Sequence, residues 1–213
     1  MKNSTIKQIF FDIGGVLLEI DHVRSLQFWS DCTDLSIDVI KDHFPHEVHE
    51  QYEIGKLSDY EFFRAVKDAL PQPNCLKEDD FWRGWNKLIV AETETVKLLS
   101  LLKQSYNVYV LSNTNPRHIK YEVASRFSFQ KPYRNILRKV STFYSFDLGC
   151  RKPDTAIYLK ALELAGVKPE ESLLIDDVEE NVEQARKLGF KTILYTGYTE
   201  TKSLLIAMGI QTM

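Results

Sequence analysis

Short hydrophobic runs rich in β-branched and aromatic residues recur along the chain, and three of the four end in polar or charged residues. Such runs are typical of buried strands, because a strand that is covered on both faces is apolar at consecutive positions. Between the later runs, apolar residues recur every three or four positions, as in helices. Strands that alternate with helices predict a mostly parallel sheet covered on both faces. The runs are QIFFD (8–12), VYVLSNT (108–114), LLIDD (173–177) and KTILYT (191–196).

Three helices are predicted in the second half of the chain, and proline or glycine marks two of their ends. Pro153 suits the first turn of one helix, because its missing N–H needs no intrahelical partner there. Gly189 suits the C-terminal cap of another. The residues at helical spacing are Val96, Leu99 and Leu102; Ile157, Ala161, Leu164 and Ala165; and Val182, Ala185 and Leu188.

The stretch between the first and second runs differs from the rest, because it is rich in aromatic residues and holds no strand-like run. Ser58 and Glu61 form a capping box, which marks the start of a helix. We therefore predict a helical insertion at 21–90, placed within a sheet core that is formed by 1–20 and 91–213.

Aromatic residues and histidines of this insertion could face either its own core or a cleft. His46 and His49 are expected to be solvated, and Pro45 disfavours helix before it, which separates them from His43. Most of the large aromatic residues are predicted to lie in the core of the insertion; they are Trp29, Phe62, Trp82 and Trp85.

Composition narrows the class of protein. The 213 residues suit one core domain with an insertion, and a net charge of −3 gives no electrostatic signature for nucleic acid or an anionic membrane. A basic stretch within 131–139 is expected to be a solvated surface. Three widely spaced cysteines argue against a disulfide framework or a zinc site and suit a reducing compartment. No run is long enough to span a bilayer and the N-terminus is too polar for a signal peptide, so we expect a cytoplasmic protein without nucleic-acid or membrane partners.

Acidic, hydroxyl and basic side chains follow strands or precede helices at four places. The carboxyl ends of parallel strands would bring them together. Taken singly, all but the paired acids are better explained as turn residues, helix caps or solvated surface charges. The four places are Asp12; Ser112 with Asn113 and Thr114; Lys152; and Asp176 with Asp177.

Taken together, these side chains suit phosphoryl transfer. A carboxylate that approaches a phosphate is repelled by roughly 4 kcal/mol per pair of unit charges at about 4 Å and an effective dielectric near 20. A divalent cation held by acids, together with a lysine ammonium, offsets that repulsion. Mg²⁺ is the expected metal, since its oxygen ligands would be few and shared with phosphate and water.

In this order the motifs resemble those of the haloacid dehalogenase superfamily: FFDIGGVL (10–17), VLSNT (110–114), RKPDTAIY (151–158) and LLIDDVEENVEQARKLGF (173–190). The resemblance covers nearly the whole chain, and YEIGKLS (52–58) is similar to a stretch of the superfamily's helical cap. It implies an α/β protein with a Rossmann-like doubly wound core, an inserted α-helical cap, Mg²⁺ and an aspartyl-phosphate intermediate. The implied roles are Asp12 as nucleophile; Ser112, Asn113 and Lys152 as phosphate-binding groups; and Asp177, supported by Asp176, as a metal ligand with Asp12 and the backbone of Gly14.

The first motif departs from the commonest form in that superfamily, Asp-x-Asp-Gly, at Gly14. The second acid of that form protonates the leaving oxygen and then activates water, and such a group typically contributes about 10²–10⁴-fold in rate. Glu19, Asp21 and His118 are candidates to replace it, although His118 is as well explained as a surface or partly buried histidine. The chain resembles a branch of the superfamily that includes bacterial glucose-1-phosphate phosphatases. That branch also carries Asp-x-Gly in this motif, so the resemblance favours the prediction of an active phosphatase.

We therefore predict a Mg²⁺-dependent phosphomonoesterase whose partner is a small phosphorylated metabolite, with sugar phosphates among the candidates. A 2-haloacid dehalogenase is an alternative, but its chemistry would leave Asp176 and Asp177 idle. A phosphomutase would need the acid that Gly14 lacks. A catalytically weak or inactive binding protein is the remaining alternative, and Gly14 is its best support.

Overall fold

The computed structural model describes residues 5–123 and 141–212, so the basic stretch within 131–139 lies outside the described residues. No described helix is long and apolar enough to cross a membrane. The strands are β1 (Gln8–Phe11), β2 (Leu18–Ile20), β3 (Ile89–Glu92), β4 (Asn107–Ser112), β5 (Ser141–Tyr144), β6 (Ser172–Asp176) and β7 (Lys191–Leu194). The helices are α1 (His22–Thr33), α2 (Ile37–His43), α3 (His46–Glu53), α4 (Asp59–Ala69), α5 (Glu78–Asn86), α6 (Thr95–Leu102), α7 (Ser145–Leu148), α8 (Thr155–Ala165), α9 (Glu179–Lys187) and α10 (Tyr198–Ala207), with a π-helical segment at His118–Val123 and a 3-10 turn at Pro169–Glu171.

Five strands form a parallel sheet in the order β5-β4-β1-β6-β7, which confirms the predicted Rossmann-like α/β core. Successive residues of the central strand face opposite sides of the sheet. Ile9 and Phe11 pack in one hydrophobic cluster and Phe10 packs in another, so both faces are buried. The carboxyl ends of β4, β1 and β6 therefore lie side by side at one edge of the sheet.

The edge strand β5 was not among the predicted runs. Its first two residues are polar, and Ser141 is exposed while Thr142 is half-buried. Because an edge strand has a neighbour on one side only, it needs less hydrophobic surface than the central strands, and its sequence signal is correspondingly weak.

Helices α1–α5 lie between β2 and β3 and bury an aromatic cluster of their own. The strands β2 and β3 pair antiparallel where the chain leaves and re-enters the sheet core. Ile89 therefore belongs to a strand, although the segment 21–90 was predicted to be without strands. The division into core and cap domains stays a prediction. Trp29, Phe62, Trp82 and Trp85 are all members of the buried cluster.

Two of the three predicted helix ends are confirmed. Ser58 Oγ accepts from the Glu61 N–H at 3.3 Å and the Glu61 carboxylate accepts from the Ser58 N–H at 2.8 Å, which is the predicted capping box. Gly189 follows α9 with φ +100°, a backbone conformation that favours glycine. The placement of Pro153 in a first helical turn is wrong, since α8 begins at Thr155. Residues 151–154 instead form a turn, closed by the hydrogen bond from the Asp154 N–H to the Arg151 carbonyl at 2.9 Å.

Candidate active site

Parallel strand pairing places two of the predicted acids together. Asp12 directly follows β1, and its backbone N–H donates to the Ile175 carbonyl of β6 at 3.0 Å. Because Phe11 pairs with Ile175, Asp176 ends the neighbouring strand at the same level. Both acids are buried, with 8% of Asp12 and 0% of Asp176 exposed.

Lys152 lies between these two carboxylates and is 1% exposed. Its Nζ is 3.0 Å from Asp12 Oδ1, and it donates to Asp176 Oδ2 at 2.5 Å and to the Leu111 carbonyl at 2.9 Å. Asn113 anchors the lysine backbone, since its Nδ2 donates to the Lys152 carbonyl at 2.8 Å and its Oδ1 accepts from the Lys152 N–H at 2.7 Å. Burial alone would lower the pKa of Lys152, but the two carboxylates raise it above its usual range. The site therefore holds a fixed positive charge.

The acids of the Asp176–Asp177 pair have different surroundings. Asp176 Oδ1 accepts from the Val178 N–H and from Asn181 Nδ2, both at 3.0 Å, while its other oxygen binds the lysine. Asp177 is exposed, and its carboxylate packs against Gly15, where a Cβ would lie 2.0 Å from Asp177 Oδ2. The φ of +71° at Gly15 also favours glycine. Asp176 is thus held by the protein, and Asp177 remains able to bind a ligand.

The cluster of acids fits a magnesium ion. Carboxylate oxygens of Asp12, Asp176 and Asp177 lie within 4.8 Å of one another. Burial raises the pKa of Asp12 to about 7, and repulsion from Asp176 adds to this effect while Lys152 opposes it. A divalent cation would offset the remaining repulsion, and oxygen donors are those that Mg²⁺ prefers. Asp12 and Asp177 offer such donors, and the Gly14 carbonyl stays a predicted ligand.

A cavity of about 480 Å³ is lined by residues from the edge of the sheet and from the helical insertion. Asp12, Lys152 and the two acids at 176–177 are not among its lining residues, but the neighbouring Ile13, Gly14 and Ser112 are. Ser112 ends β4 and is 1% exposed; its hydroxyl makes one long hydrogen bond of 3.4 Å to the Asn113 carbonyl among the described residues. The side chain of Asn113 holds the backbone of Lys152, and its contact with phosphate stays a prediction. The sheet core lines the cavity with Gly14, Ser112, Asn113 and Thr114, and the insertion lines it with Trp29, Phe44, Glu53 and Trp85, among others.

Gly14 lines this cavity and has space beside it. A Cβ at this position would lie 3.5 Å from its nearest neighbour, Cγ1 of Ile20, which is an ordinary van der Waals contact. Packing therefore does not exclude a side chain where the resemblance leads one to expect a second acid.

The three candidate acid–base residues lie in different surroundings, and the acid–base role of each stays a prediction. Among the described residues, Glu19 is exposed on β2 and neither it nor Asp21 lines the cavity. The Asp21 carboxylate caps α1 by accepting from the Val23 N–H at 2.9 Å. His118 does line the cavity, but both of its ring nitrogens have partners. Nε2 is 3.2 Å from the carbonyl of Trp85, which can only accept, so Nε2 carries the proton, and Nδ1 accepts from Asn115 Nδ2 at 3.2 Å.

Burial of His118 makes the stability of the protein sensitive to acid. Burial lowers the pKa of His118 from 6.5 to about 4. Below pH 6.5 the imidazole of His118 is protonated in the unfolded chain but stays neutral in the folded protein. The free energy of unfolding therefore falls as the pH falls from 6.5 towards 4. A tenfold change in proton affinity corresponds to about 1.4 kcal/mol, so the loss reaches about 3 kcal/mol near the lower end. His118→Gln is therefore expected to flatten the pH dependence of urea unfolding.

The matched control for this measurement is His43→Gln, which replaces an exposed histidine of α2. It should leave the slope of stability against pH unchanged. An identical slope for wild type and His118→Gln would contradict the neutral, buried state of His118.

Sequence reasoning missed Glu53, a buried acid of the insertion that lines the cavity. Two groups of the sheet core hold it. Arg151 Nε donates to Glu53 Oε2 at 3.0 Å, and Ser145 Oγ donates to the Glu53 carbonyl at 2.7 Å. Burial raises the pKa of Glu53, although Arg151 opposes this. The motif YEIGKLS contains Glu53 and could have indicated it. The resemblance of this motif to a stretch of the helical cap gave Glu53 no role of its own.

The expectation that His49 is solvated is wrong, whereas His46 is exposed as expected. His49 lines the cavity and packs edge-on against Trp85, with ring centroids 5.3 Å apart. Burial, helped by the positive charge of Arg151, lowers the pKa of His49 to about 3. The helix α3 turns this residue inward, which spacing alone did not reveal.

Comparison with known proteins identifies related hydrolases. A family model described as haloacid dehalogenase-like hydrolase matches residues 6–189. The D-ribitol-5-phosphate phosphatase of Bacteroides thetaiotaomicron is 30% identical over 190 residues, which cover 88% of this chain and 90% of that protein.

Solved structures are similar over nearly the full length. A haloacid dehalogenase (HAD) family enzyme from Bacteroides thetaiotaomicron, in complex with magnesium and inorganic phosphate, has a TM-score of 0.75 at 26% identity and covers 90% of this chain and 95% of its own. A HAD-like family hydrolase from Porphyromonas gingivalis has a TM-score of 0.82 at 26% identity and covers 98% of this chain and 100% of its own.

Proposed function

The chain belongs to the haloacid dehalogenase-like hydrolase family, and on that premise we propose that it hydrolyses phosphate monoesters with Asp12 as the nucleophile. It is a magnesium-dependent phosphatase that acts on a small phosphorylated metabolite. One observation supports these roles above all. Lys152 is buried and its Nζ lies 3.0 Å from Asp12 Oδ1, and the carboxylate oxygens of Asp12, Asp176 and Asp177 lie within 4.8 Å of one another.

In the proposed reaction, a carboxylate oxygen of Asp12 attacks the phosphorus atom of the ester. The bond from phosphorus to the leaving oxygen breaks, and an aspartyl phosphate forms. Water then attacks the phosphorus of this intermediate, which releases inorganic phosphate and restores Asp12. The Lys152 ammonium, the Ser112 hydroxyl and the Asn113 N–H would bind the phosphoryl oxygens.

Asp12, Asp177 and the carbonyl of Gly14 would hold the magnesium ion. When bound, magnesium supplies positive charge that offsets the repulsion between carboxylates and phosphate. Asp176 would act through Lys152, because its two oxygens are already engaged by the lysine, by Val178 and by Asn181.

This cluster favours a phosphatase over a 2-haloacid dehalogenase. Displacement of a halide from carbon by Asp12 needs no metal, so Asp177 would have no role in it. The relative that hydrolyses D-ribitol 5-phosphate supports the same choice. Sugar and polyol phosphates are therefore the substrate class that we propose.

The proton for the leaving oxygen must come from a group other than residue 14. Among the described residues, Glu19 and Asp21 do not line the cavity, and both ring nitrogens of His118 already have partners. We propose that a water molecule donates this proton to the leaving oxygen, and that the hydroxide so formed then attacks the phosphorus of the aspartyl phosphate.

Release of phosphate from a panel of esters tests the function. The panel contains D-ribitol 5-phosphate, glucose 1-phosphate and p-nitrophenyl phosphate, each measured with Mg²⁺, with EDTA, and with Mg²⁺ restored after EDTA. We expect release that EDTA lowers by at least about 10²-fold and that Mg²⁺ restores, because the charge of the metal stabilises the transition state. No release from any ester, by folded protein with Mg²⁺ bound, would favour the binding-protein alternative.

We place this activity in the cytoplasm. Cys32, Cys75 and Cys150 are unpaired, which suits a reducing compartment.

A further inference from the structure

We propose that Ser25 and Trp85 form a subsite that recognises a hydroxyl group of the leaving group. The proposal rests on the phosphatase function above and names the part of the substrate that the helical insertion selects. Ser25 lies on α1 and Trp85 on α5. Both line the cavity that also contacts Ser112 and Gly14, so one ligand can reach the phosphate-binding groups and the insertion together.

The two side chains carry buried polar atoms without partners. Ser25 is 5% exposed and Trp85 is 6% exposed, and neither Ser25 Oγ nor Trp85 Nε1 has a hydrogen-bond partner within the described residues. A buried polar group without a partner is energetically unfavourable, because it has lost its hydrogen bonds to water. Because both residues line the cavity, a ligand in the cavity is the natural source of the missing hydrogen bonds.

Neighbouring side chains of the same types behave differently. On α1, the hydroxyl of Thr33 donates to the Trp29 carbonyl at 2.7 Å, which is the usual bond for a hydroxyl inside a helix. Ser25 makes no such bond among the described residues. The hydroxyl of Ser25 is thus available although its helix offers the usual partner.

The tryptophans show the same contrast. Trp29 Nε1 donates to the Phe81 carbonyl at 3.0 Å, and Trp82 Nε1 donates to Glu78 Oε1 at 3.4 Å. Trp85, which follows Trp82 by less than one helical turn, has no partner for its Nε1 in the described chain. A buried indole N–H usually has a partner, so the exception at the cavity points to a ligand.

The chemistry of the cavity wall defines the class of ligand. An indole N–H requires an acceptor, and a serine hydroxyl can donate or accept, so a hydroxyl group satisfies both. Trp29 and Phe44 supply aromatic surface against which C–H groups pack. Among the described lining residues Lys41 is exposed and Glu53 is paired with Arg151, so the wall offers no buried positive charge for a second anionic group. An uncharged carbon chain that bears hydroxyl groups, as in a polyol or sugar phosphate, fits this wall.

Two esters of equal chain length test the subsite: D-ribitol 5-phosphate, and n-pentyl phosphate, which lacks the hydroxyl groups. We expect Ser25→Ala to lower kcat/KM for D-ribitol 5-phosphate about tenfold, mainly through a higher KM, because one hydrogen bond of about 1.4 kcal/mol is lost. Trp85→Phe should have a similar effect while it keeps most of the aromatic surface. For n-pentyl phosphate, both variants should stay within about twofold of wild type.

Ser30→Ala and Trp82→Phe are matched controls on the same two helices. Neither Ser30 nor Trp82 lines the cavity among the described residues, so both variants should keep the wild-type preference between the two esters. An equal loss of kcat/KM for both esters in Ser25→Ala and Trp85→Phe would indicate a merely structural role and overturn the proposal. Unchanged kinetics for both esters would overturn it as well.

Binding separates failure of the subsite from failure of the phosphatase function. Isothermal titration of D-ribitol 5-phosphate into the Asp12→Asn protein with Mg²⁺ gives Kd without turnover. Addition of Ser25→Ala should weaken this binding about tenfold and leave the binding of n-pentyl phosphate unchanged. If wild type releases no phosphate, the phosphatase proposal fails, and the same titration still decides the subsite: an unchanged Kd for D-ribitol 5-phosphate overturns it.

Discussion

Asp12→Asn is expected to lower phosphate release by at least about 10⁴-fold, because the amide has no charged oxygen with which to attack phosphorus. The variant should fold as well as wild type. Asn has the same shape as Asp, and burial disfavours the charge that the substitution removes, as the raised pKa of Asp12 indicates. Steady-state phosphate release and urea unfolding measure the two expectations separately.

Asp154→Asn is the matched control for this experiment. It removes an exposed carboxylate two residues from Lys152, and Asp154 makes no side-chain capping bond to α8. Its turnover should stay near that of wild type. Rapid acid quenching of wild type with substrate should also trap a phosphoryl group on Asp12 that mass spectrometry detects. Full turnover by Asp12→Asn would remove Asp12 from the role of nucleophile.

Lys152→Met is expected to lower kcat/KM by about 10³-fold and the free energy of unfolding by about 3 kcal/mol. The substitution keeps an extended side chain but removes the ammonium that contacts Asp12 Oδ1 at 3.0 Å and Asp176 Oδ2 at 2.5 Å. Two buried carboxylates then face each other without compensation, and breaking a buried pair by removal of one partner is strongly destabilising. Phosphate release and urea unfolding give the two quantities.

A second substitution separates the effect on stability from the effect on activity. Asp176→Asn in the Lys152→Met protein removes one of the unpaired charges but keeps an oxygen that can accept from Val178 and Asn181. We expect this double variant to recover stability but not activity. Lys160→Met, at an exposed lysine of α8, is the control and should change neither. A single Lys152→Met variant with wild-type kcat/KM would contradict the proposed contact between the lysine and phosphate.

Much of the fold was predictable because its signals are local in the sequence. Runs such as that at 173–177 carry enough apolar residues to be recognised as buried strands, and the capping box of Ser58 and Glu61 marks a helix start by itself. The edge strand β5 lacked such a signal because it needs less hydrophobic surface. Pro153 was misplaced because the turn at 151–154 is required by the position of Lys152 and not by helix formation.

The residues of the candidate site that lie at the ends of strands were also predictable from the sequence. Asp12 and Asp176 could be brought together from sequence, since parallel pairing places the ends of neighbouring strands side by side. Glu53 and His49 could not, because they approach the cavity from helix α3 of the insertion. Their positions depend on how the insertion packs against the sheet core, through contacts such as that of Arg151 with Glu53.

The sequence by itself determined the parallel sheet and the nucleophile candidate, because strand alternation and a carboxylate after an apolar run are local patterns. It also determined the absence of an acid at Gly14. Only the tertiary structure decided which of Asp176 and Asp177 is held by Lys152, and that Asp21 caps a helix. Only the structure shows that the Ser25 hydroxyl and the Trp85 N–H, at the cavity, have no hydrogen-bond partner among the described residues. The physical reason is that a hydrogen bond is made or left unmade by groups distant in sequence, and only packing brings those groups within reach.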